Sequence, residues 1–217
     1  LEWAIVAAGA VAIASALAGD PGRWIHYIAK PATTFLVLAR AWFACQPFDV
    51  RYRVRVAIAL VFCAGGDIFL MLPLAQGFML GLASFLVGHL CFIAAAVRGA
   101  RFAASPWPFV AYGLVAGAIL AVLWPSVPQP LQLPVLAYVA VLTAMAAQGA
   151  VRHRLLRTPS TFFLAIGGAC FLCSDSLLAW DRFAGALPLG RLWVLGSYYL
   201  AIWFIARSVS GSAATGQ

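Results

Sequence analysis

The sequence predicts an all-α integral membrane protein of eight transmembrane helices, and three observations carry that prediction. Hydrophobic residues make up 65% of the 217-residue chain and charged residues only 9%, against about 25% charged in a soluble domain. The apolar residues fall into eight runs of near-spanning length, broken by proline, glycine or arginine. The cations are shared unevenly between alternate breaks, as topology signals are.

A spanning helix needs ~20 apolar residues, and each run is placed by what ends it. The first, 2–18, stops at GDPGR (19–23). It starts LEWAIV, without a cationic leader segment, so it is expected to be a retained helix and not a cleaved signal. The second, 30–46, opens at Lys30 and Pro31, contains Arg40, and ends in QPFD (46–49). The third, 55–72, follows Arg51, Arg53 and Arg55 and stops at Pro73. The fourth, 77–97, ends before Arg98 and Arg101. The fifth, 107–124, emerges from SPWP (105–108) and closes at PSVPQP (125–130). The sixth, 131–149, runs up to RHRLLR (152–157). The seventh, 159–180, ends at Asp181 and Arg182, and the eighth, 189–208, begins in ALPLG (186–190). Proline removes a backbone donor and glycine frees the backbone angles, so helices end there. Residues 1–208 thus read as one eight-helix domain, and the small polar residues 209–217 as a disordered tail.

The net charge is +8, from 14 Lys+Arg against 6 Asp+Glu. The cations punctuate apolar runs and do not cluster on one face, so they point to anionic lipid and not to nucleic acid. With eight spans, ten cations share one side with both termini: Arg40, Arg51, Arg53, Arg55, Arg98, Arg101, Arg152, Arg154, Arg157 and Arg207. Only Arg23, Lys30, Arg182 and Arg191 fall on the other. Positive charge stays inside, so both termini are expected in the cytoplasm. All the cations but Lys30 are arginine and alanine is abundant, which suggests a bacterial inner membrane. RHRLLR is expected to meet lipid phosphate. Trp24, Trp107, Trp124 and Trp193 lie at predicted helix ends and read as interfacial anchors.

Against this background two acids stand out: Asp67 in CAGGDIFLML and Asp175 in FLCSDSLLAW. An ionised aspartate at a helix centre costs roughly 2.5–3.5 kcal/mol on insertion scales, so such residues face a protein interior and are functional candidates. Each lies five residues before its predicted helix end, a shared depth that suggests a 4+4 internal repeat. Gly65, Gly66, Gly167, Gly168 and Ser174 are small enough to let the third and seventh helices approach and point both carboxylates into one pocket. Paired in an apolar site, one carboxyl can act as acid and the other as base. Lys30 reads either as an interfacial anchor or as a point charge for a phosphate head group. His89, mid-helix in FLVGHLCF, either bonds a neighbouring helix or serves the acids. Tyr198 and Tyr199 sit about two turns into the eighth helix, where belt residues are common. Cys45, Cys63, Cys91, Cys170 and Cys173 lie in or near apolar runs, and the CxxC at 170–173 reads as packing. No metal site is expected.

The order KPATTF, GGDIFLML, FMLGLASFLVGH, GGACFLCSDSLLAWDRF, YYLAIWFIARS, from Lys30 to about Ser208, resembles the YhhN/TMEM86 lysoplasmalogenase family. The resemblance implies an eight-helix hydrolase that cleaves the vinyl ether bond of lysoplasmalogens to a fatty aldehyde and glycerophosphoethanolamine or -choline, without cofactor. It implies Asp67 and Asp175 as catalytic, and Lys30, His89, Tyr198 and Tyr199 as substrate-binding; Ser174, next to Asp175, is expected to bind substrate with them. The family often carries glutamine where this chain has Ile202, a position at which substrate preference can differ. The expected partners are a lysophospholipid substrate and membrane lipid. A proton-coupled transporter or a lipid-binding membrane protein also accommodates buried acids and stays open on sequence grounds.

Overall fold

A computed structural model describes residues 1–44 and 49–210. Among these are eight α-helices: α1 (Glu2–Leu17), α2 (Arg23–Trp42), α3 (Val50–Met71), α4 (Gly77–Ala96), α5 (Pro106–Leu123), α6 (Gln129–Leu156), α7 (Pro159–Phe183) and α8 (Gly190–Arg207). Cys45, most of the QPFD break and residues 211–217 of the expected tail lie outside the described residues. Five helices, α3 to α7, are long and apolar enough to cross a membrane, α5 counted through its short 3-10 extension to Ser126. The chain is an all-helical membrane protein.

Helix ends follow local chemistry. The Asp49 side chain accepts the Arg51 amide and starts α3. Thr158 and Thr161 form a reciprocal capping box at the start of α7, satisfying donors that a helix N-terminus leaves free. Arg157 takes a left-handed conformation (φ 50°) and ends α6.

Four boundaries reach further than expected, each because charged residues continue a helix; one is the third helix, which begins at Val50 and takes in Arg51, Arg53 and Arg55. The second helix begins at Arg23, so Lys30 lies inside it and does not open it. The sixth extends through the RHRLL segment and the seventh to Phe183. Measured to the observed ends, Asp67 is four residues from Met71 and Asp175 eight from Phe183. The equal spacing from the helix ends is therefore not kept.

Helices α2, α3, α4, α6, α7 and α8 pack in sequence around a ring, with α8 closing on α2. Helix α1 lies against α2 and α8, and α5 against α6 and α7. Small residues set the contacts, but not between α3 and α7 as expected. A Cβ on Gly66 would come within 2.5 Å of the Phe85 ring on α4. On Gly167 it would meet Ile205 of α8 at 2.6 Å, and on Gly168 the Ala146 backbone of α6 at 2.9 Å. The small residues thus seat α3 on α4 and α7 on α6 and α8. Rings pack α4, α7 and α8 together: Phe171 of α7 lies 6.2 Å from Phe85 of α4 and 5.6 Å from Tyr198 of α8.

The end of the bundle away from both acids is tied by buried polar groups. Tyr52 bonds Ser208 at 2.6 Å, and Ser160 donates to the Ser208 carbonyl. Arg152 is 1% exposed, lies over the Tyr52 ring at 4.4 Å and donates to the Ala95 carbonyl. This corrects the expectation for RHRLLR: its first arginine packs inside the protein, while Arg154 and Arg157 stay exposed.

Candidate functional site

Asp67 is 1% exposed and is held by two hydrogen-bond donors and one cation. Its Oδ2 accepts from the Thr34 hydroxyl at 2.6 Å and the Tyr198 hydroxyl at 2.8 Å. Its Oδ1 lies 3.3 Å from Lys30 Nζ. Lys30 and Thr34 are four residues apart, one turn of α2, so they present one face to α3. Proline at 31 interrupts the backbone bonding of α2 within that same turn. Burying a carboxylate in such a place is tolerable only with a counterion and hydrogen bonds, and α2 and α8 supply both. Lys30, itself 8% exposed, is therefore a buried ion-pair partner and not an interfacial anchor.

Asp175 is only partly buried. Its Oδ2 accepts a hydrogen bond from Tyr138 of α6. His89 packs between the two acidic centres, 4.6 Å from the Phe171 ring and 5.3 Å from that of Tyr138. It is fully buried, and neither ring nitrogen has a hydrogen-bond partner among the described residues. The helix-joining hydrogen bond considered for it from sequence is thus not formed. Ser174 does join helices, donating to the Val194 carbonyl of α8 at 2.9 Å. Tyr198 and Tyr199 are both buried, so neither is a belt residue; Tyr199 packs its ring against Gly9 of α1. Ile202 is buried in the hydrophobic core.

The two carboxylates do not open into one shared pocket, as the sequence reading expected. Asp175 borders an apolar cleft of about 70 Å³, with Tyr138, Phe85 and Leu142 among its walls. Asp67 borders neither this cleft nor its neighbour. Its partner Lys30 lines a polar vestibule of about 540 Å³ together with Arg23, His26, Arg182 and Arg191. Cleft and vestibule meet at Leu70, Phe78 and Leu178, which line both. Leu70 is three residues after Asp67 on α3, and Leu178 three after Asp175 on α7, so each sits on its acid's helix face. Both acids thus lie one turn, about 4.5 Å of helix rise, below the same junction.

The vestibule holds Arg23, Lys30, Arg182 and Arg191 against Asp20 and Asp181. These four are the cations that fall on the minority side in the charge count. Sequence reasoning treated Arg23 and Arg191 only as topology markers and passed over Thr34 and Tyr138. Thr34 was legible as the residue one turn after Lys30. Tyr138 carried no local signal beyond being a lone tyrosine four residues after Pro134. Among the described cysteines Cys63 is buried, Cys91 and Cys170 are half-buried against the core, and Cys173 is exposed, so the packing expected of the 170–173 pair holds for Cys170 but not for Cys173.

Fold and site together define a class: a helical membrane protein whose cationic vestibule and apolar cleft converge above two acids. The model of the YhhN family matches residues 25–209. A lysoplasmalogenase of Mycobacterium bovis is 32% identical in an alignment covering 98% of this chain and 85% of the relative. The lysoplasmalogenase of Mycobacterium tuberculosis matches to the same extent. Lysoplasmalogenase TMEM86B of Sus scrofa is 33% identical over 89% of this chain and 79% of its own length. No solved structure matches. The chain belongs to the YhhN family.

Proposed function

We propose that the protein is a lysoplasmalogenase-like membrane hydrolase that cleaves the vinyl ether bond of a lysophospholipid. The products are a fatty aldehyde and a glycerophospho-base such as glycerophosphoethanolamine or glycerophosphocholine. The observation that carries this reading is the junction of a cationic vestibule with an apolar cleft directly above both acids. A single-chain phospholipid has matching parts: an anionic head, one tail, and a scissile bond between them. The lysoplasmalogenase relatives support the vinyl ether as the bond cleaved.

Hydrolysis starts with protonation of the alkene carbon distant from oxygen, leaving an oxocarbenium ion. Water adds to the adjacent carbon, and the hemiacetal collapses to aldehyde and alcohol. Asp175, bordering the apolar cleft, serves as the general acid with Tyr138 fixing its orientation. Asp67 serves as the carboxylate: Thr34 and Tyr198 occupy Oδ2, leaving Oδ1 beside Lys30 to take a proton from water entering through the vestibule. Two carboxylates divide the same labour around the related transition state of glycoside hydrolysis. Arg23, Arg191 and Lys30 are placed to receive the phosphate. Ser174 and Tyr199 shape the walls behind the acids, and His89 sets the spacing between their two tyrosines.

The 4+4 repeat belongs to the same proposal. Each acid is on the third helix of its half and is bonded from the second, by Thr34 and Lys30 in one half and Tyr138 in the other. Both second helices contain an internal proline, Pro31 and Pro134. The contact of α2 with α8 corresponds to that of α6 with α4. The ten-to-four cation asymmetry supports both termini in the cytoplasm of a bacterial inner membrane. A carrier needs a path to both faces, and the buried Tyr52, Arg152 and Ser208 tie the opposite end. That favours the hydrolase.

The test is aldehyde release from a lysoplasmalogen by the purified protein. Asp67→Asn and Asp175→Asn should each lower turnover about 10²–10⁴-fold, the usual worth of a general acid or base, with the protein still folded. Wild-type turnover in either variant refutes the two-aspartate mechanism. Absence of any aldehyde from the native protein refutes the activity.

A further inference from the structure

Helix α5 is the least embedded of the five apolar spans, with only Ala116 and Leu123 fully buried along it. Both of its glycines, Gly113 and Gly117, face open space. Between α5 and α7 runs a groove of about 460 Å³, walled by Val115, Ile119, Ala169, Leu172, Cys173 and Trp180 among others. It is nearly all apolar. Its inner wall is shared with the Asp175 cleft, because Ile119, Leu172 and Ser176 line both. Groove and cleft therefore adjoin across these three side chains, just as cleft and vestibule adjoin across Leu70, Phe78 and Leu178. The three spaces adjoin in a row, polar and cationic at one end and apolar at the other, with Asp175 on the middle one. On any bundle that spans the bilayer, a groove between two apolar helices faces acyl chains.

Resting on the hydrolase reading above, we propose that the groove between α5 and α7 is a lateral portal that takes the hydrocarbon chain of the substrate from the bilayer. The head stays in the vestibule, the scissile bond lies at the junction, and the distal carbons leave between α5 and α7 into lipid. The cleft alone, at about 70 Å³, is too small for a long chain. An open-ended path removes that limit, because methylenes beyond the groove rest in surroundings as apolar as those they left. Chain lengths long enough to reach the groove are then accepted alike.

The test has two arms. In the first, the protein is reconstituted in phosphatidylcholine vesicles with a lysophosphatidylethanolamine carrying a diazirine at the end of a saturated, non-cleavable chain. Irradiation should label 112–119 of α5 and 169–180 of α7. Labelling confined to other helices overturns the portal, and this arm reads out even if the protein cleaves no vinyl ether. In the second, Val115→Trp and Cys173→Trp together fill the groove from positions exposed at its rim. Turnover of a long-chain vinyl ether lysolipid in vesicles should fall about tenfold or more, a barrier change of about 1.4 kcal/mol. Turnover of a short-chain, water-soluble analogue should stay near that of the native protein and so report an intact fold. Equal loss with both substrates, or no loss with either, overturns the portal.

Discussion

Replacing Lys30 with methionine separates the two roles that the sequence allowed for it. Methionine keeps the length and apolar stem and removes the ammonium. If Lys30 were an interfacial anchor, the change would cost at most about 1 kcal/mol, as for exposed charges. In the structure its side chain is 9% exposed, and that of Asp67, 3.3 Å away, 1%. Deleting one partner of a buried pair strands the other, at about 3–5 kcal/mol. For a chain of this size each kcal/mol moves the thermal midpoint by about 2–4 °C, so a fall of about 6–20 °C is expected. The informative experiment is a double-mutant cycle read by thermal unfolding in detergent, with Lys30→Met, Asp67→Asn and both together. Removing both charges leaves Thr34 and Tyr198 with a neutral amide oxygen to bond. The double variant should therefore recover most of the stability lost by Lys30→Met alone, giving a coupling well above the ~0.5 kcal/mol scatter of independent sites. A Lys30→Met protein as stable as the native one, or a double variant less stable than Lys30→Met, refutes the buried-pair account.

Tyr138→Phe removes the hydroxyl that orients Asp175. Asp175 is protonated as the general acid, and a hydrogen bond between neutral groups is worth about 0.5–1.5 kcal/mol, so turnover should fall roughly 2–10-fold with the fold intact by thermal midpoint. Arg23→Gln takes one charge from the vestibule that holds the head group. It should raise KM several-fold and leave kcat nearly unchanged, the signature of lost uniform binding; a kcat loss at constant KM contradicts that role. Away from the site, Asp49 meets Arg98 at 2.6 Å between α3 and the end of α4. Burial pushes its carboxyl up, but the bonds from Arg98 and the Arg51 amide outweigh this and hold it below the usual range. A depressed acid stabilises the fold above the unfolded-state value of about 3.9 and loses that contribution as pH falls through the folded value. The stability gap between native protein and Asp49→Asn should therefore be present at neutral pH and close below about pH 4; a gap that stays constant or widens there contradicts it.

Reading the chain as a helical membrane protein needed no tertiary information. Eight helices lie where hydrophobic runs and their breaks put them, because spanning length and proline or glycine chemistry are local properties. Asp67 and Asp175 were conspicuous for a similar reason: an acid in an apolar run is costly wherever the run packs. The direction each acid faces was not legible. Small residues at 65–66 and 167–168 mark close helix contacts without naming the partner helix, so the expected α3–α7 contact became α3–α4, α7–α8 and α6–α7 contacts. Thr34 and Tyr138 matter only because α2 and α6 bring their hydroxyls to acids 33 and 37 residues away. Arg23, Lys30, Arg182 and Arg191 read singly as topology signals, and their convergence on one vestibule exists only once the ring closes. Local pattern determines which segments cross the bilayer and which groups are too polar to leave unpaired. Partner choice depends on contacts between residues distant in sequence, and these exist only in the packed bundle.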